Sequence, residues 1–184
     1  MVDGGHTLFD TAIGVCGIAW GLGGVVAVQL PEADAARTRA RLLKGLPPLL
    51  EVTPPPATVR AAIDGVQALL EGRSRSDLRE IELDMARLTP FQREVYAMAR
   101  AIPPGQTRTY GEMALALGDA GLARAVGQAL GHNPFAPVVP CHRVLAAGNK
   151  PGGFSAGGGA VTKLRMLAIE GARPSGTASL FDDT

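Results

Sequence analysis

Aromatic side chains make up only 4% of the 184 residues, too few for an extended base-stacking platform. The only two cysteines, Cys16 and Cys141, exclude a disulfide framework and a four-cysteine zinc site. No one sign of charge dominates: 18 Lys and Arg against 17 Asp and Glu leave a formal net charge of +1, which excludes a strongly basic nucleic-acid coat. No apolar run approaches the ~18 residues of a membrane-spanning helix. MVDGGHTLFD has no basic flank before an apolar segment, so no secretory leader is expected. The expected setting is a reducing cytoplasm, where a thiol stays free, with no membrane association.

What is present is a folding chain with an uneven charge distribution. Apolar residues reach 46%, which excludes disorder of the whole chain. Residues 1–88 carry nine basic and eleven acidic side chains. Residues 89–176 carry nine basic ones against only Glu94, Glu112, Asp119 and Glu170. A basic second half points to a polyanion partner.

Glycines divide the first thirty residues into TLFDTAIG, VCGIAW and GVVAVQL, a pattern that predicts a three-stranded meander. Residues 32–44 read as a charged helix. Prolines 47, 48, 54, 55 and 56 mark a linker-like stretch. Val59, Ile63, Val66 and Leu70 share a helical face, so residues 57–71 form a second helix. REIELD alternates and is expected to return to the sheet as a strand.

Near Leu88 the character changes. Thr89-Pro90-Phe91-Gln92 is a capping box with proline at the first helical position. Phe91, Val95, Met98 and Ile102 then recur at helical spacing. Thr109-Tyr110-Gly111-Glu112 is a second capping box, opening a short helix that ends at Gly118. GLARAVGQALG follows as a third helix with small surface residues and one long cation, Arg124. Two short helices joined by a turn fit a helix-turn-helix, and they equally fit ordinary helix packing. APVVPCHRVL reads as an apolar strand-like run, and GNKPGGFSAGGG as a glycine-rich loop. The last helix is expected to bury Val161, Leu164, Leu167 and Ala168, ending near Glu170. Residues 175–184 read as a frayed tail.

Cys141 stands between Pro140 and His142. A buried free cysteine usually serves as a small hydrophobe, and Cys16 is read that way. At Cys141 the next residues, His142 and Arg143, suit stabilisation of a thiolate. A thiol is mostly protonated at neutral pH and the thiolate is the nucleophile, so a histidine one water away can take the proton. A carboxylate behind that histidine would hold its tautomer. Adjacent strand residues point to opposite faces, so such a relay needs a turn at Cys141 or a bridging water.

TPFQREVYAMARAIPPGQTRTYGEMALALG, RAVGQALGHNPFAPVVPCHRVL and GGFSAGGGAVTKLRMLAIEGA together resemble the O6-alkylguanine-DNA alkyltransferases, the methylated-DNA–protein-cysteine methyltransferase family. The resemblance covers about residues 88–172; the first strands resemble that family's ribonuclease-H-like domain more loosely. It implies an α+β fold: an N-terminal antiparallel sheet with helices over residues 1–87, then a mostly helical, winged-helix-like domain with a helix-turn-helix over 88–174. It implies irreversible, single-turnover transfer of an alkyl group from O6-alkylguanine, and less readily O4-alkylthymine, in double-stranded DNA. The acceptor is Cys141, and the base is extruded from the duplex. On this resemblance His142 would act through water as base, Glu170 would orient it, and Tyr110 would donate its proton to the leaving guanine. Ser155 contacts O6, the Val144 carbonyl accepts from the guanine amino group, and Asn133 braces the active-site turn. Arg124 matches the family residue that fills the gap left by the flipped base. Thr109, Tyr110, Ala123, Ala125 and Gly127 lie against the DNA minor groove. No cofactor is implied and a monomer is expected. The zinc of some relatives has only His6 and Cys16 available here, so no metal is expected. Tyr96, where many members carry tryptophan, is a core residue. A lesion-binding protein without transfer and a cysteine hydrolase are the competing readings of the same thiol.

Overall fold

Along residues 16–20, Cys16, Ile18 and Trp20 point to one face of a strand and Gly17 and Ala19 to the other. The fold, a computed structural model describing residues 3–172, uses both faces. Strands β1 (Gly5–Thr11), β2 (Gly14–Gly21) and β3 (Gly24–Gln29) form an antiparallel sheet in that order. Gly5 pairs with Trp20 and Thr11 with Gly14 across the first hairpin. Both hairpin turns end on a glycine with positive φ, Gly14 at 127° and Gly24 at 114°, where a side chain would be strained.

Helices cover the two faces. Helix α1 (Ala35–Leu43) is capped by Asp34, whose side chain accepts from the Arg37 amide. Its Leu42 packs on Ala19 and Ala27. A Cβ on Gly17 would lie 2.9 Å from Leu42, so the glycine makes room for the helix. Helix α2 (Ala57–Leu70) packs Val59, Ile63, Val66 and Leu70 against Cys16, Ile18 and Trp20. Cys16 is a core residue, as expected, and burial pushes its thiol up to about 12.

Two expectations for this half are corrected. REIELD does not form a strand: Leu83 makes one isolated bridge to Val25, flanked by hydrogen bonds from Val25 N to Glu82 O and from Asp84 N to Val25 O. The proline-rich stretch is more than a linker. Its proline-free centre pairs with the β1 edge, His6 N donating to Leu50 O and Val52 N to His6 O, each at 3.0 Å.

The second half is built on helices α3 (Pro90–Arg100), α4 (Tyr110–Ala116), α5 (Ala123–Gly131) and α6 (Gly159–Ile169). Both capping boxes form, at Thr89–Gln92 and Thr109–Glu112. Val95, Tyr96, Met113, Val126, Leu130 and Phe135 share a second core. The Tyr96 hydroxyl donates to Ala129 O at 2.7 Å and its ring meets Phe135 edge-on, which makes it the core residue expected.

The last helix buries a different face from the one expected. Val161 and Ala168 are exposed, whereas Lys163, Met166, Leu167 and Glu170 are buried. Those four stand at i, i+3, i+4 and i+7, a regular helical stripe with a charge at each end. The charges are accommodated because partners await them, as described below. The expected tail, residues 175–184, lies outside the described residues. Among the described residues no helix is long and apolar enough to cross a membrane. The architecture is thus mixed α and β, with a three-stranded antiparallel sheet and six α-helices among the described residues.

Candidate active site

Proline and a tight turn set the position of Cys141. Residues 134–140 are not a strand, contrary to the reading of APVVPCHRVL. Two prolines break the run, and Cys141–Arg143 forms a single 3₁₀ turn. A two-residue parallel pairing follows, β4 (Arg108–Thr109) with β5 (Val144–Leu145). It fastens the start of α4, and with it Tyr110, beside the turn. Asn133 braces the other side: its side-chain amide donates to Val139 O at 2.8 Å and its side-chain oxygen accepts from Phe135 N at 2.9 Å.

Cys141 lines a cavity of about 510 Å³ together with Tyr110, Arg124, Gly127, Phe154 and Ser155. That volume lies within the range of about 300–1,000 Å³ typical of small-molecule sites. Elements α4, α5 and the loop 151–158 each supply part of the wall. Ala123 also lines it, and Arg124 stands exposed at the start of α5. A cavity of similar size lies between the second hairpin and α2; Thr58, Glu80 and Glu82 are among its lining residues, but no cysteine or histidine is.

Behind Cys141 the side chains form a buried ionic chain. His142 Nε2 lies 2.7 Å from Glu170 Oε1. Arg143 donates from Nε to Glu170 Oε2 at 3.0 Å, from Nη2 to Glu170 Oε1 at 2.8 Å, and from Nη1 to Ile102 O at 2.7 Å. Burial works to raise the Glu170 carboxyl, but His142 and Arg143 outweigh it and hold its pKa at about 2. An ionised carboxylate only accepts, so Nε2 of His142 carries a proton and Nδ1 presents a lone pair. Burial lowers the His142 pKa against the opposing pull of Glu170; the ring is neutral and fit to act as a base. Its Nδ1 is buried without a protein partner among the described residues.

Cys141 is largely enclosed, with 7% exposure. Burial pushes its thiol upward, opposed by hydrogen bonding from Asn133 and by the charge of Lys163. The resting sulfur therefore carries a proton that a base must remove. The Tyr110 hydroxyl is also raised, first by burial and then by Cys141, so it holds its proton until a strong acceptor arrives.

The expected residues divide into two groups. Cys141, Tyr110, Ser155, Arg124, Ala123 and Gly127 line the cavity. His142, Glu170 and Asn133 stand behind it, and Thr109 caps α4. Ala125 is a partly exposed residue of α5. Val144 is fully buried, and its carbonyl already accepts from Lys163 Nζ at 2.6 Å. His132 ends α5, its Nδ1 2.8 Å from Gln128 O, as a turn residue would. Arg143 does not serve the sulfur directly, because its guanidinium is committed to Glu170 and Ile102. Sequence reasoning missed Lys163, and the spacing 163-166-167-170 was the signal that would have found it.

Comparison with known proteins places this site. The family model for the DNA-binding domain of 6-O-methylguanine DNA methyltransferase matches residues 90–172. A methylated-DNA–protein-cysteine methyltransferase of Mycobacterium bovis is 43% identical over 130 residues, 71% of this chain and 76% of the relative. The chain belongs to the methylated-DNA–protein-cysteine methyltransferase family. A methyltransferase of the same name from Methanothermobacter thermautotrophicus is 33% identical over 166 residues, 90% of this chain and 82% of that protein. The crystal structure of Mycobacterium tuberculosis OGT in complex with DNA superposes with a TM-score of 0.70 at 34% identity, covering 90% of this chain and 92% of that one. The family likeness thus extends beyond the second half to the sheet and its helices.

Proposed function

We propose that this methyltransferase repairs O6-alkylguanine in duplex DNA by moving the alkyl group irreversibly onto its own Cys141. The observation that carries the reading is a cysteine on the wall of a cavity large enough to admit a purine, followed directly by a histidine hydrogen-bonded to a buried carboxylate. The lesion is turned out of the helix, since the alkyl carbon is unreachable within the stack. His142, through a water at Nδ1, takes the thiol proton. The thiolate attacks the alkyl carbon, forming the S–C bond as the C–O6 bond breaks and its electron pair passes to the base. Tyr110 then gives its hydroxyl proton to the guanine, which leaves neutral, and the phenolate is reprotonated from His142 through solvent. The thioether is not reversed by thiol exchange, so each molecule acts once.

The remaining roles follow from position. Ser155 contacts O6 from the loop wall. The Val144 carbonyl, with a second lone pair beside the one used by Lys163, accepts from the guanine amino group. Arg124 enters the duplex where the base was, and Ala123, Ala125, Gly127 and Thr109 lie along the minor groove, where small side chains permit close approach. Helices α4 and α5 act as a helix-turn-helix, and a single copy of the chain acts on DNA. Residues 1–87 support the alkyl-transfer half, 88–174.

Intact-protein mass spectrometry after incubation with a duplex carrying O6-methylguanine tests the proposal. One methyl group gained on the peptide containing Cys141, and none in Cys141→Ser, is the expected result. A methyl group on Cys16, or transfer that survives the substitution, would overturn it.

A further inference from the structure

Lys163 is fully buried, yet among the described residues no carboxylate pairs with it. A lone buried ammonium is expensive unless something nearby repays its desolvation. Its Nζ donates to Val144 O at 2.6 Å and stands 5.8 Å from the centre of the Tyr110 ring and 5.9 Å from that of Phe154. Tyr110 and Phe154 line the cavity with Cys141, and Val144 ends the turn that Cys141 begins. The ammonium thus sits behind the part of the wall made by Tyr110 and Phe154, and its charge is felt at Cys141. Tyr96 from α3, Tyr110 from α4 and Lys163 from α6 interact electrostatically with the sulfur, and His142 and Arg143, which follow it in the turn, are tied to Glu170 of α6. Arg143 is neutralised by Glu170, and His142 is neutral at rest. Lys163 is the cation left without a fixed anion among them.

We propose that Lys163 is the counter-ion of the Cys141 thiolate, a positioning residue that favours ionisation of the sulfur and aims the Val144 carbonyl. At neutral pH the ammonium keeps its protons; the thiol proton passes to His142. Two independent features point the same way. The carbonyl and ring contacts hold the ammonium in place with no charge opposite it. Burial lowers its pKa to about 8 while the charge of Cys141 acts to raise it. The inference rests on the proposed role of Cys141 as nucleophile.

Iodoacetamide, a small neutral alkylating agent, reports the thiolate without DNA, and peptide mapping separates Cys141 from the buried Cys16. In Lys163→Met the pH midpoint for Cys141 alkylation should rise by about one unit, with a rate near neutral pH about tenfold lower. Lys163→Arg, which retains the charge, should keep the midpoint near that of the natural protein. A purely structural lysine would slow transfer from guanine but leave the iodoacetamide profile where it was, and that outcome would overturn the proposal. Lys163→Gln offers a donor to Val144 without charge and repeats the test if the methionine variant does not fold. A measurement on the unmutated protein covers the case where neither folds. By reciprocity, methylation of Cys141 should make Lys163 lose its proton at lower pH, as followed by NMR of labelled lysine; an unmoved titration counts against the pair. A methyl group that never reaches Cys141 from DNA would refute the repair function while leaving the thiol profile readable.

Discussion

Arg143 and Glu170 meet through two hydrogen bonds, of 3.0 and 2.8 Å, in a place closed to water. Such a fork-to-carboxylate pair is both strong and directional. It also explains an acid at the C-terminal end of α6, where the helix dipole opposes negative charge. Glu170→Gln would leave a buried guanidinium without its anion. The expected cost is about 3–5 kcal/mol of stability, read as a lowered denaturant midpoint. A loss under about 1 kcal/mol, the usual worth of an exposed pair, would show that the pair is not as enclosed as its geometry indicates.

Acid should uncouple the same cluster in a defined window. The folded Glu170 pKa, about 2, lies below its ordinary value of 4.5. A depressed acid stabilises the fold above the ordinary value, and that contribution is lost as pH falls from 4.5 through about 2. His142, lowered by burial from 6.5, adds a loss that begins below that value, since the unfolded chain takes up its proton first. The Glu170 share is on the order of 3 kcal/mol. Denaturant midpoints measured from pH 7 down to pH 3 should fall in the natural protein and flatten below about pH 4.5 in Glu170→Gln. Parallel curves for the two proteins would contradict the assignment.

The elements legible in the sequence were those whose signals are local. Both capping boxes, the three strands and the buried face of α2 each follow from residues within one turn or one hairpin. Cys141 beside His142 was legible as a pair, and Glu170 only through family resemblance, because 28 residues separate it from the histidine. The buried face of α6 is hidden in the sequence because Lys163 counts as polar in a periodicity, and its partner carbonyl at Val144 is 19 residues away. The edge pairing of Leu50 and Val52 was hidden by flanking prolines, which suggest a linker wherever they cluster. In each case the missing information was a long-range partner for a group that looks out of place alone.

Arg124 is exposed at the rim of the cavity, and its proposed role is in the duplex. Arg124→Ala should slow repair in duplex DNA by about tenfold or more while reaction with free O6-benzylguanine stays within about twofold. The free base needs no extrusion, so a side chain that fills the vacated stack matters only in the duplex. Single-turnover rates on the two substrates give the comparison. Equal losses on both would assign Arg124 to the cavity wall instead.

Gly157 lies where the loop carrying Phe154 and Ser155 crosses the end of β3. A Cβ there would stand 2.5 Å from Pro31 O and 3.0 Å from the Glu32 Cα, both backbone atoms that cannot swing away. In Gly157→Ala the loop must therefore lift from the sheet half of the molecule, and Ser155 must move with it. The expected result is a destabilisation of about 1–3 kcal/mol together with slower alkyl transfer and unchanged iodoacetamide reactivity of Cys141. Gly153→Ala serves as a control for stability, since nothing lies within 4 Å of its added Cβ; its midpoint should stay within about 0.5 kcal/mol of the natural protein. Thermal melts and single-turnover rates on both variants decide the matter. If Gly157→Ala matches the natural protein in both, the loop is not held by the Pro31–Glu32 contact, and the sheet half of the chain does not set the position of Ser155.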